Sequence, residues 1–392
     1  MRAGLTLLCL AYVLSQFFRA FLAVLSGVLE ADIGTGPDAL AQASGFWFLS
    51  FAAMQLPVGW ALDKIGPRRT ASVLLFLGGA GGAALFALAT NALHINLAML
   101  LIGIGCSPAL MASYYIFARQ FSVAQFATLA ALMLGVGSVG NLVASYPMAL
   151  AAELVGWRAS LAGLAVLSAG VAVGIAVFVR DPEPAQSEEK GSVFDLLKMP
   201  ALWAIFPLML VTYVPVAGIR GLWIGPYLSD VFGMTTAQVG QASLAMGVAM
   251  IAGTLCYGPL DRVFQTQKWV IFFGNMLCAL STLVLAMLMS YNVIVSVALC
   301  AAIGFFGASF PVIIAHARSF VPAHLAGRGV TLLNLFAIGG AGVMQFASGG
   351  VHAGVQDGSG TEVAYMMLFA LFGVLLLVGT LIYLLSRDAP RV

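Results

Sequence analysis

The sequence predicts an all-α membrane protein with about twelve transmembrane helices in two pseudo-symmetric six-helix bundles. Three observations predict this fold class: the composition, the placement of the basic residues and a partial internal repeat. The chain has 392 residues, of which 61% are hydrophobic and only 8% are charged. Soluble domains carry about 25% charged residues. Because so few charges cannot cover a surface that faces water, most of the surface must face lipid.

The apolar stretches have the length of membrane-spanning helices, which need roughly 20 apolar residues each. Continuous apolar runs favour helices, because a barrel strand is about ten residues of alternating character. The first run is too long for a cleaved signal peptide, so we expect it to remain as a span. The predicted spans are 5–29, 41–61, 70–90, 94–117, 127–150, 159–179, 201–228, 240–260, 269–290, 292–316, 329–350 and 363–385.

The basic residues predict the orientation. With the N-terminus in the cytoplasm, 14 of the 17 Lys and Arg residues fall on the cytoplasmic side. Arg158 falls outside, and Arg19 and Arg220 fall within spans. Cytoplasmic loops are enriched in Lys and Arg, so we expect a multi-pass protein of the cell inner membrane with both termini in the cytoplasm.

The longest polar stretch, from Arg180 to Lys198, separates the two predicted bundles. It predicts an N-terminal six-helix bundle at 1–180, a cytoplasmic linker at 181–199 and a C-terminal six-helix bundle at 200–392. The halves share short motifs at nearly one spacing. Asp63 and Asp261 are 198 residues apart, and the FARQF motif at 117 matches the HARSF motif at 316, 199 residues later. Together these matches indicate an internal repeat.

The composition also excludes several classes of function. The five cysteines lie in apolar runs without a CxxC pair, so we expect buried thiols rather than a disulfide framework or a zinc site. A net charge of +2 does not favour a nucleic-acid partner. No nucleophile–base pair or phosphate-binding loop is evident, so the sequence predicts neither an enzyme nor a cofactor.

A loop motif follows the second span: Gly59-Trp-Ala-Leu-Asp63-Lys64-Ile-Gly66-Pro-Arg68-Arg69. It resembles the loop signature of the major facilitator superfamily, and the sequence Gly156-Trp-Arg before the sixth span is similar to that family as well. The resemblance implies a transporter that works by rocker-switch alternating access. A carboxylate at a helix end can accept hydrogen bonds from a helix N-terminus or an arginine. The predicted gating residues are Gly59, Asp63, Lys64, Gly66, Arg68, Arg69, Asp261 and Arg262; the basic ones could equally be topology anchors.

Arg19 and Arg220 are predicted to lie inside the first and seventh spans, 201 residues apart. An arginine at the centre of a span costs about 2.5–3.5 kcal/mol on insertion scales. Every Asp and Glu falls in a loop or at a span end, so the sequence offers neither arginine an obvious counter-ion. We therefore expect an anion site, because a guanidinium presents a planar fork of donors that suits carboxylate, phosphate ester or sulfonate. The alternative is that each arginine pairs with protein groups or reaches an interface.

Polar and aromatic residues flank the two arginines at helical spacing. Aromatic rings with polar tips suit an organic anion, although Tyr12 and Tyr227 could equally be packing residues. Lone membrane amides more often join helices than bind substrate. The candidate substrate-binding residues beside Arg19 and Arg220 are Tyr12, Gln16, Tyr213, Trp223, Tyr227, Tyr114, Tyr115, Asn141, Asn334 and Gln345.

The paired arginines resemble the organophosphate:phosphate exchanger branch, and the first span with the loop resembles the anion:cation symporter branch. That second branch implies an acidic residue beside the first-span arginine, where this chain has Phe18 and Ala20. The sequence also lacks the fourth-span arginine and the fifth-span Gly-Pro pair that resemblance to proton-driven drug exporters would imply. A drug or metabolite exporter is therefore disfavoured.

The function predicted from the sequence is secondary transport of a small organic anion held between Arg19 and Arg220. The main alternative is a copper or other metal importer, since Met246 and Met250 place two thioethers on one helix face. A proton, sodium ion or counter-anion could be co-transported, with His316 as the candidate protonation site, although a lone His is more often structural. We expect a monomer in the lipid bilayer.

Overall fold

The computed structural model of the chain describes residues 2–182, 193–322 and 325–388. All of the regular elements in these ranges are helices. The chain folds into two compact units. The first holds α1–α11, together with residues 235–240, and the second holds the rest of α12–α22. The predicted domain boundaries stay a prediction, because residues 183–192 of the predicted linker lie outside the described residues.

The first unit is built from eleven described helices with a π-helical turn, Leu75–Ala80, between α5 and α6. They are α1 (Arg2–Phe17), α2 (Leu22–Ile33), α3 (Pro37–Ala53), α4 (Gln55–Lys64), α5 (Pro67–Leu74), α6 (Gly81–Ala87), α7 (Ala92–Cys106), α8 (Pro108–Gln120), α9 (Val123–Val143), α10 (Tyr146–Val155) and α11 (Trp157–Phe178).

The second unit repeats this pattern, with a π-helical turn, Ile219–Trp223, between α15 and α16 and a 3₁₀ turn, Gly307–Ser309, before α20. Its described helices are α12 (Val193–Leu197), α13 (Pro200–Trp203), α14 (Ile205–Val211), α15 (Val214–Gly218), α16 (Ile224–Phe232), α17 (Thr236–Phe264), α18 (Lys268–Leu288), α19 (Val293–Phe306), α20 (Phe310–Arg318), α21 (Ala326–Ser359) and α22 (Thr361–Tyr383).

Ten continuous or nearly continuous helical segments in the described ranges are long and apolar enough to cross a bilayer. Two bent helix pairs, α1 with α2 at 56° and α9 with α10 at 42°, raise the number to twelve if each pair is one span. The prediction of about twelve transmembrane helices is therefore confirmed. Many large apolar side chains are exposed, for example Met287 at 81% and Val166 at 74%, as expected where lipid is the solvent.

Prolines explain most of the breaks within the spans. A proline ring collides with the carbonyl four residues earlier, so a helix tends to end there. α3 ends at Ala53, four residues before Pro57, and α14 ends at Val211, four residues before Pro215. In the same way α9 ends at Val143, four residues before Pro147. The predicted span at 127–150 is for this reason a bent pair of helices, α9 and α10.

The break in the first span has no such cause. Residues 18–21 form a turn between α1 and α2, although the chain contains no proline before Pro37. The amide of Ala20 donates to the carbonyl of Phe17 at 3.0 Å, which tightens the turn. The predicted span at 5–29 is therefore a bent pair of helices, α1 and α2. The break places Arg19 between two helices rather than within one.

One glycine in each unit lets a neighbouring helix pack directly against the backbone of that unit's broken first span. A Cβ added to Gly140 of α9 would lie 2.0 Å from the carbonyl oxygen of Val13 in α1. In the second unit a Cβ on Gly340 of α21 would lie 1.9 Å from the carbonyl oxygen of Leu210 in α14. The two contacts are counterparts in the repeat, and each fixes the backbone that leads to one of the intramembrane arginines.

The cysteines are all free among the described residues. The expectation that they are buried holds for Cys106, Cys278 and Cys300. It is wrong for Cys256, which is exposed, and for Cys9, which is half-buried. An apolar run in a membrane helix presents one face to lipid, so hydrophobic neighbours in sequence do not guarantee burial.

Candidate functional site

Arg19 lies in the turn between α1 and α2, and its guanidinium is set against aromatic rings of α3. Its Cζ atom is 5.2 Å from the ring centroid of Trp47 and 5.0 Å from that of Phe51. The two rings are stacked on each other at 5.1 Å. Cation–π contacts of this kind stabilise a guanidinium without neutralising its charge. The charge therefore remains available to an anion.

Hydrogen-bond donors without acceptors surround this arginine. The Nε of Arg19, the Nε1 of Trp47 and the hydroxyl of Ser15 are buried and have no hydrogen-bond partner among the described residues. Both Arg19 and Ser15 interact with Cys106 at the end of α7, which places them at one level of the bundle. An arginine and a tryptophan can only donate. The group that would satisfy this cluster is an acceptor.

No described carboxylate side chain is buried, and none lies within ion-pair distance of Arg19. Acidic residues of the described ranges lie at helix ends, such as Asp63 at the end of α4 and Asp230 at the end of α16. The protein therefore supplies the Arg19 cluster with positive charge and donors, but with no matching negative charge from its described part.

Arg220 lies in the π-helical turn Ile219–Trp223 and is only 4% exposed. π-Helical turns inside α-helices occur frequently at functional sites. The hydroxyl of Tyr213, two helical turns earlier, interacts electrostatically with the guanidinium. Trp223 closes the turn and donates from Nε1 to the hydroxyl of Ser348 at 2.9 Å. The first span of each unit thus carries its arginine at an irregular turn.

Tyr12, Gln16 and Tyr114 come together within the first unit. The amide of Gln16 donates to the hydroxyl of Tyr12 at 2.6 Å. Tyr114 of α8 interacts electrostatically with Tyr12. Tyr12 also packs on the Cα of Gly137, where an added Cβ would lie 2.3 Å from its ring. These three predicted residues share one region of the bundle.

Tyr115 belongs to a different group at the end of α8. Its ring lies 3.7 Å below the guanidinium of Arg119. Arg119 in turn lies 3.6 Å from the carboxylate of Asp63, which ends the loop-motif helix α4. The observed partner of Asp63 is thus an arginine of the same unit. The gating role of this carboxylate stays a prediction.

The rest of the loop motif fixes the turn between α4 and α5. Gly66 has φ +97°, a conformation that side chains rarely adopt, and an added Cβ would lie 2.8 Å from the carboxyl carbon of Asp181. Asp181 accepts a hydrogen bond from the amide of Arg68 at 2.7 Å, at the N-terminus of α5. Lys64 and Arg69 are exposed. A Cβ added to Gly59 would lie 3.9 Å from the terminal methyl group of Met111, an ordinary contact distance. The side chains of Asp261 and Arg262 lie outside the described residues.

Tyr227 is fully buried and joins three helices. Its hydroxyl donates to the carbonyl oxygen of Met289 or the hydroxyl of Ser296, at 2.5 and 2.7 Å. Its ring packs edge-on against Phe369 at 5.0 Å. With its hydroxyl held in this way, Tyr227 has the contacts of a packing residue, the alternative that the sequence left open.

The predicted amides differ in burial. Gln345 is 1% exposed, and its carbonyl oxygen accepts from the hydroxyl of Ser348, the partner of Trp223. Asn141 is 5% exposed, beside the Gly140 contact. Asn334 is half-buried on α21. Gln345 is thereby connected through Ser348 and Trp223 to the turn that carries Arg220.

The remaining candidates are His316, for protonation, and the Met246–Met250 pair, for copper. His316 is fully buried, and its ring nitrogens lie 2.9 Å from the carbonyl oxygen of Arg387 and 2.7 Å from the hydroxyl of Tyr383. A neutral imidazole satisfies both contacts and ties α20 to the end of α22. Met246 is buried against Gly304 of α19, while Met250 is half-buried. The protonation and copper predictions for these residues stay predictions.

Sequence reasoning missed Trp47, Ser15 and His352. Trp47 lies in an apolar aromatic run, where an indole is indistinguishable from a packing residue. Ser15 is a single small hydroxyl in an apolar helix and gives no pattern. His352 falls just beyond the predicted eleventh span at 329–350, whereas α21 continues to Ser359. The one available signal for Trp47 was chemical, since an indole N–H buried in lipid needs a partner.

A cluster at the opposite end of the first unit is structural. The carboxylate of Asp32 accepts from Trp157 Nε1 and from the Arg158 guanidinium, both at 3.0 Å. Arg158 also donates to the carbonyl oxygens of Ala87 and Ala89, at 3.3 and 2.6 Å. The Gly-Trp-Arg motif thus joins the ends of three helices.

Replacement of Asp32 by Asn is expected to lower the thermal stability of the protein in detergent. The change removes the charge that Arg158 and Trp157 share, which we expect to cost about 1–2 kcal/mol at this half-exposed position. Asp195→Asn is the matched control, since Asp195 is about as exposed as Asp32 but its ion pair with Lys198 is longer, at 3.8 Å against 3.0 Å. Equal melting temperatures for the two variants would contradict the structural role.

The family assignment rests on a match along most of the chain. Residues 8–343 match the family model described as Major Facilitator Superfamily. The chain belongs to the major facilitator superfamily. The resemblance seen in the loop motif is therefore confirmed, and with it the fold of a membrane transporter rather than an enzyme. No curated protein sequence matches this superfamily member.

Solved structures of other transporters have the same fold. A bacterial homologue of the human lysosomal transporter Spinster, in an inward-facing and occupied conformation, superposes with a TM-score of 0.76 at 15% identity, over 97% of this chain and 96% of that chain. Its unoccupied conformation gives 0.72 at 15% identity, over 98% and 96%. A mutant of the nucleoside transporter NupG gives 0.73 at 16% identity, over 97% and 99%. At these identities the likeness concerns the fold alone.

Proposed function

We propose that this superfamily member is a secondary active transporter of a small organic anion, with Arg19 and Arg220 as its anion-binding residues. The observation that carries the proposal is the donor cluster at Arg19. A buried guanidinium nitrogen and an indole N–H both lack acceptors among the described residues, and the nearby Ser15 hydroxyl meets the Cys106 thiol, a weak acceptor. A buried donor left unsatisfied costs about 1–3 kcal/mol. An anion that enters this region would satisfy several donors at once.

The surroundings of the cluster support an organic anion over a bare inorganic ion. Trp47 and Phe51 present stacked rings beside Arg19, which offer apolar surface for a carbon skeleton. Tyr12 and Gln16 add polar groups on α1, the helix that ends just before Arg19. Carboxylates, phosphate esters and sulfonates all match the planar donors of a guanidinium. Arg220, the repeat counterpart of Arg19, supplies the second positive group.

The proposal includes a cellular setting. We propose a monomer in the cell inner membrane with both termini in the cytoplasm, because this orientation places 14 of the 17 Lys and Arg residues inside. Substrate would cross by alternating access, in which the binding residues open to one side of the membrane at a time. A proton, sodium ion or counter-anion would drive the cycle.

A ligand screen on the purified protein tests the anion assignment. A ligand that binds only the folded state at 100 times its dissociation constant stabilises it by about 2.7 kcal/mol. We expect carboxylates, phosphate esters or sulfonates to raise the melting temperature in detergent, and neutral nucleosides to leave it unchanged. The same ligand should give no shift with Arg19→Gln or with Arg220→Gln.

The screen also tests the alternatives. Stabilisation by Cu(I) alone, retained in both arginine variants and lost in Met246→Leu, would establish the metal site and overturn the anion assignment. Stabilisation by a neutral nucleoside or an amphiphilic drug, with no response to anions, would overturn it as well. Arg180→Gln is the control for loss of one positive charge, since Arg180 is exposed at the end of the first unit.

A further inference from the structure

A second buried polar group lies in the second unit, on the part of α21 beyond the predicted span. His352 is fully buried within α21. Its ring is packed between two aromatic side chains from other helices. The ring centroids lie 4.9 Å from Trp223 and 4.8 Å from Tyr365, at angles of 44° and 54°. Histidine is the side chain that ordinarily gains and loses a proton near neutral pH.

A carboxylate at the surface is directed toward this histidine. The hydroxyl of Tyr365, on α22, donates a short hydrogen bond to Oδ2 of Asp230. Asp230 is exposed at the end of α16 and interacts electrostatically with His352. Tyr365 itself is fully buried. The imidazole is thus enclosed in protein, while its carboxylate partner reaches solvent.

Charged and titratable groups near His352 come from α16, from α22 and from the π-helical turn. α16 contributes Asp230 and α22 contributes Tyr365, while the π-helical turn contributes Trp223 and carries Arg220. On α21 itself, Asp357 has a side chain outside the described residues. Asp230 is thus a negative group in electrostatic contact with the imidazole, and Arg220 carries a positive charge on the adjacent turn.

The histidine is connected to the turn that carries Arg220. Trp223 closes that turn, packs its ring on His352 and donates from Nε1 to Ser348, one helical turn before His352 on α21. A proton on His352 places a cation against the indole ring, which changes the packing and electrostatics of the turn. Trp223 therefore connects His352 to the turn that carries Arg220.

We propose that His352 is a proton-binding site coupled to the Arg220 turn, with Asp230 as its electrostatic partner and Tyr365 as the residue that positions Asp230. The site would let a proton bound from the Asp230 side change the turn that holds Arg220. This inference does not depend on which solute Arg220 binds, so it can stand or fall separately from the proposed anion transport.

Tryptophan fluorescence as a function of pH tests the site without any substrate. A protonated imidazole in contact with an indole quenches its emission, so we expect the emission of the wild-type protein to fall in a single step as the pH is lowered. The step should be lost in His352→Gln and in Trp223→Phe. It should be retained in His316→Gln, the matched control at a second histidine that is buried in the described part of the chain.

Charge variants test the coupling through opposite shifts. Asp230→Asn removes a negative charge and should move the midpoint to lower pH, because an opposite charge favours the imidazolium. Tyr365→Phe should shift it in the same direction by less. Arg220→Gln removes a positive charge from the adjacent turn and should move the midpoint to higher pH, because a like charge disfavours the imidazolium. Arg180→Gln, in the first unit, should leave it in place.

Three outcomes would overturn the proposal. A titration step unchanged in His352→Gln would show that another group binds the proton. An unchanged midpoint in Arg220→Gln would show that the site is not coupled to the turn, and an unchanged midpoint in Asp230→Asn would remove its partner. If His352→Gln does not fold, NMR of wild-type protein with labelled histidine shows which histidine takes up the proton, since the chain has only four histidines. A fluorescence step without a change in the His352 signal would overturn the proposal as well.

Discussion

Replacement of Arg19 by Gln is expected to reduce transport at low substrate concentration by at least about a hundredfold. Two charge-assisted hydrogen bonds contribute about 1.5–3 kcal/mol each, and Gln keeps neither the charge nor the planar fork of donors. The loss should appear as weaker binding, since Arg19 is proposed to hold the anion. Uptake into proteoliposomes is the measurement, with the anion that stabilises the protein most in the ligand screen as the labelled substrate.

Arg19→Lys separates charge from geometry. Lysine keeps one positive charge but lacks the planar group that lies 5.2 Å from Trp47 and 5.0 Å from Phe51. We expect it to restore only part of the activity, because a point charge does not replace bidentate recognition. Trp47→Phe, which keeps an aromatic ring but removes the buried indole N–H, should weaken binding to a smaller degree.

The control for these variants is Arg180→Gln, which removes an exposed arginine and should transport at the wild-type rate. Wild-type activity in Arg19→Gln would contradict the anion site directly. Equal loss in Arg19→Gln and Arg180→Gln would attribute the effect to net charge rather than to the donor cluster. Circular dichroism and size-exclusion profiles should be the same for all variants, so that a folding defect is not mistaken for a binding defect.

Replacement of Gly340 by Ala is expected to cause the largest loss of stability among small substitutions. The added Cβ would lie 1.9 Å from the carbonyl oxygen and 2.9 Å from the carbonyl carbon of Leu210, and backbone cannot move aside as a side chain can. Forced overpacking of this kind costs about 1–3 kcal/mol and occasionally more. The measurement is the melting temperature in detergent, together with the yield of folded protein.

Gly339→Ala is a control at the adjacent position of the same helix. A Cβ there meets nothing within 4 Å, and alanine is a better helix former than glycine by about 0.8–1.0 kcal/mol. We therefore expect an unchanged or higher melting temperature. Gly140→Ala and Gly135→Ala should repeat this contrast in the first unit, where the added Cβ lies 2.0 Å from Val13 in one case and in open space in the other. The same response from Gly339→Ala and Gly340→Ala would refute the backbone contact.

Gly340 also connects stability with function. Its contact holds α21 against α14, the helix that leads toward the Arg220 turn, and α21 carries Gln345, Ser348 and His352. A displaced α21 would separate Ser348 from Trp223. Binding defects in Gly340→Ala are therefore expected to accompany the loss of stability, whereas Arg220→Gln should lose binding with little change in melting temperature.

The sequence by itself determined the membrane class, the approximate spans and the family. These follow from hydropathy, since lipid demands long apolar helices, and from a loop motif whose turn requires Gly66. It also identified Arg19 and Arg220 as exceptional, because the energetic cost of a charge in a span does not depend on the details of packing. The proline-induced ends at Ala53 and Val211 follow from local sterics as well.

The tertiary structure decided what surrounds these residues. Trp47 and Phe51 become neighbours of Arg19 only when α3 packs beside the turn between α1 and α2, and no pattern within α1 indicates this. The break at residues 18–21 could not be predicted from the sequence, because no proline lies near it. His352, Trp223 and Tyr365 are separated by up to 142 residues in sequence. Their contact depends on helix packing, which rests on side-chain shape and close backbone approach rather than on hydropathy or spacing.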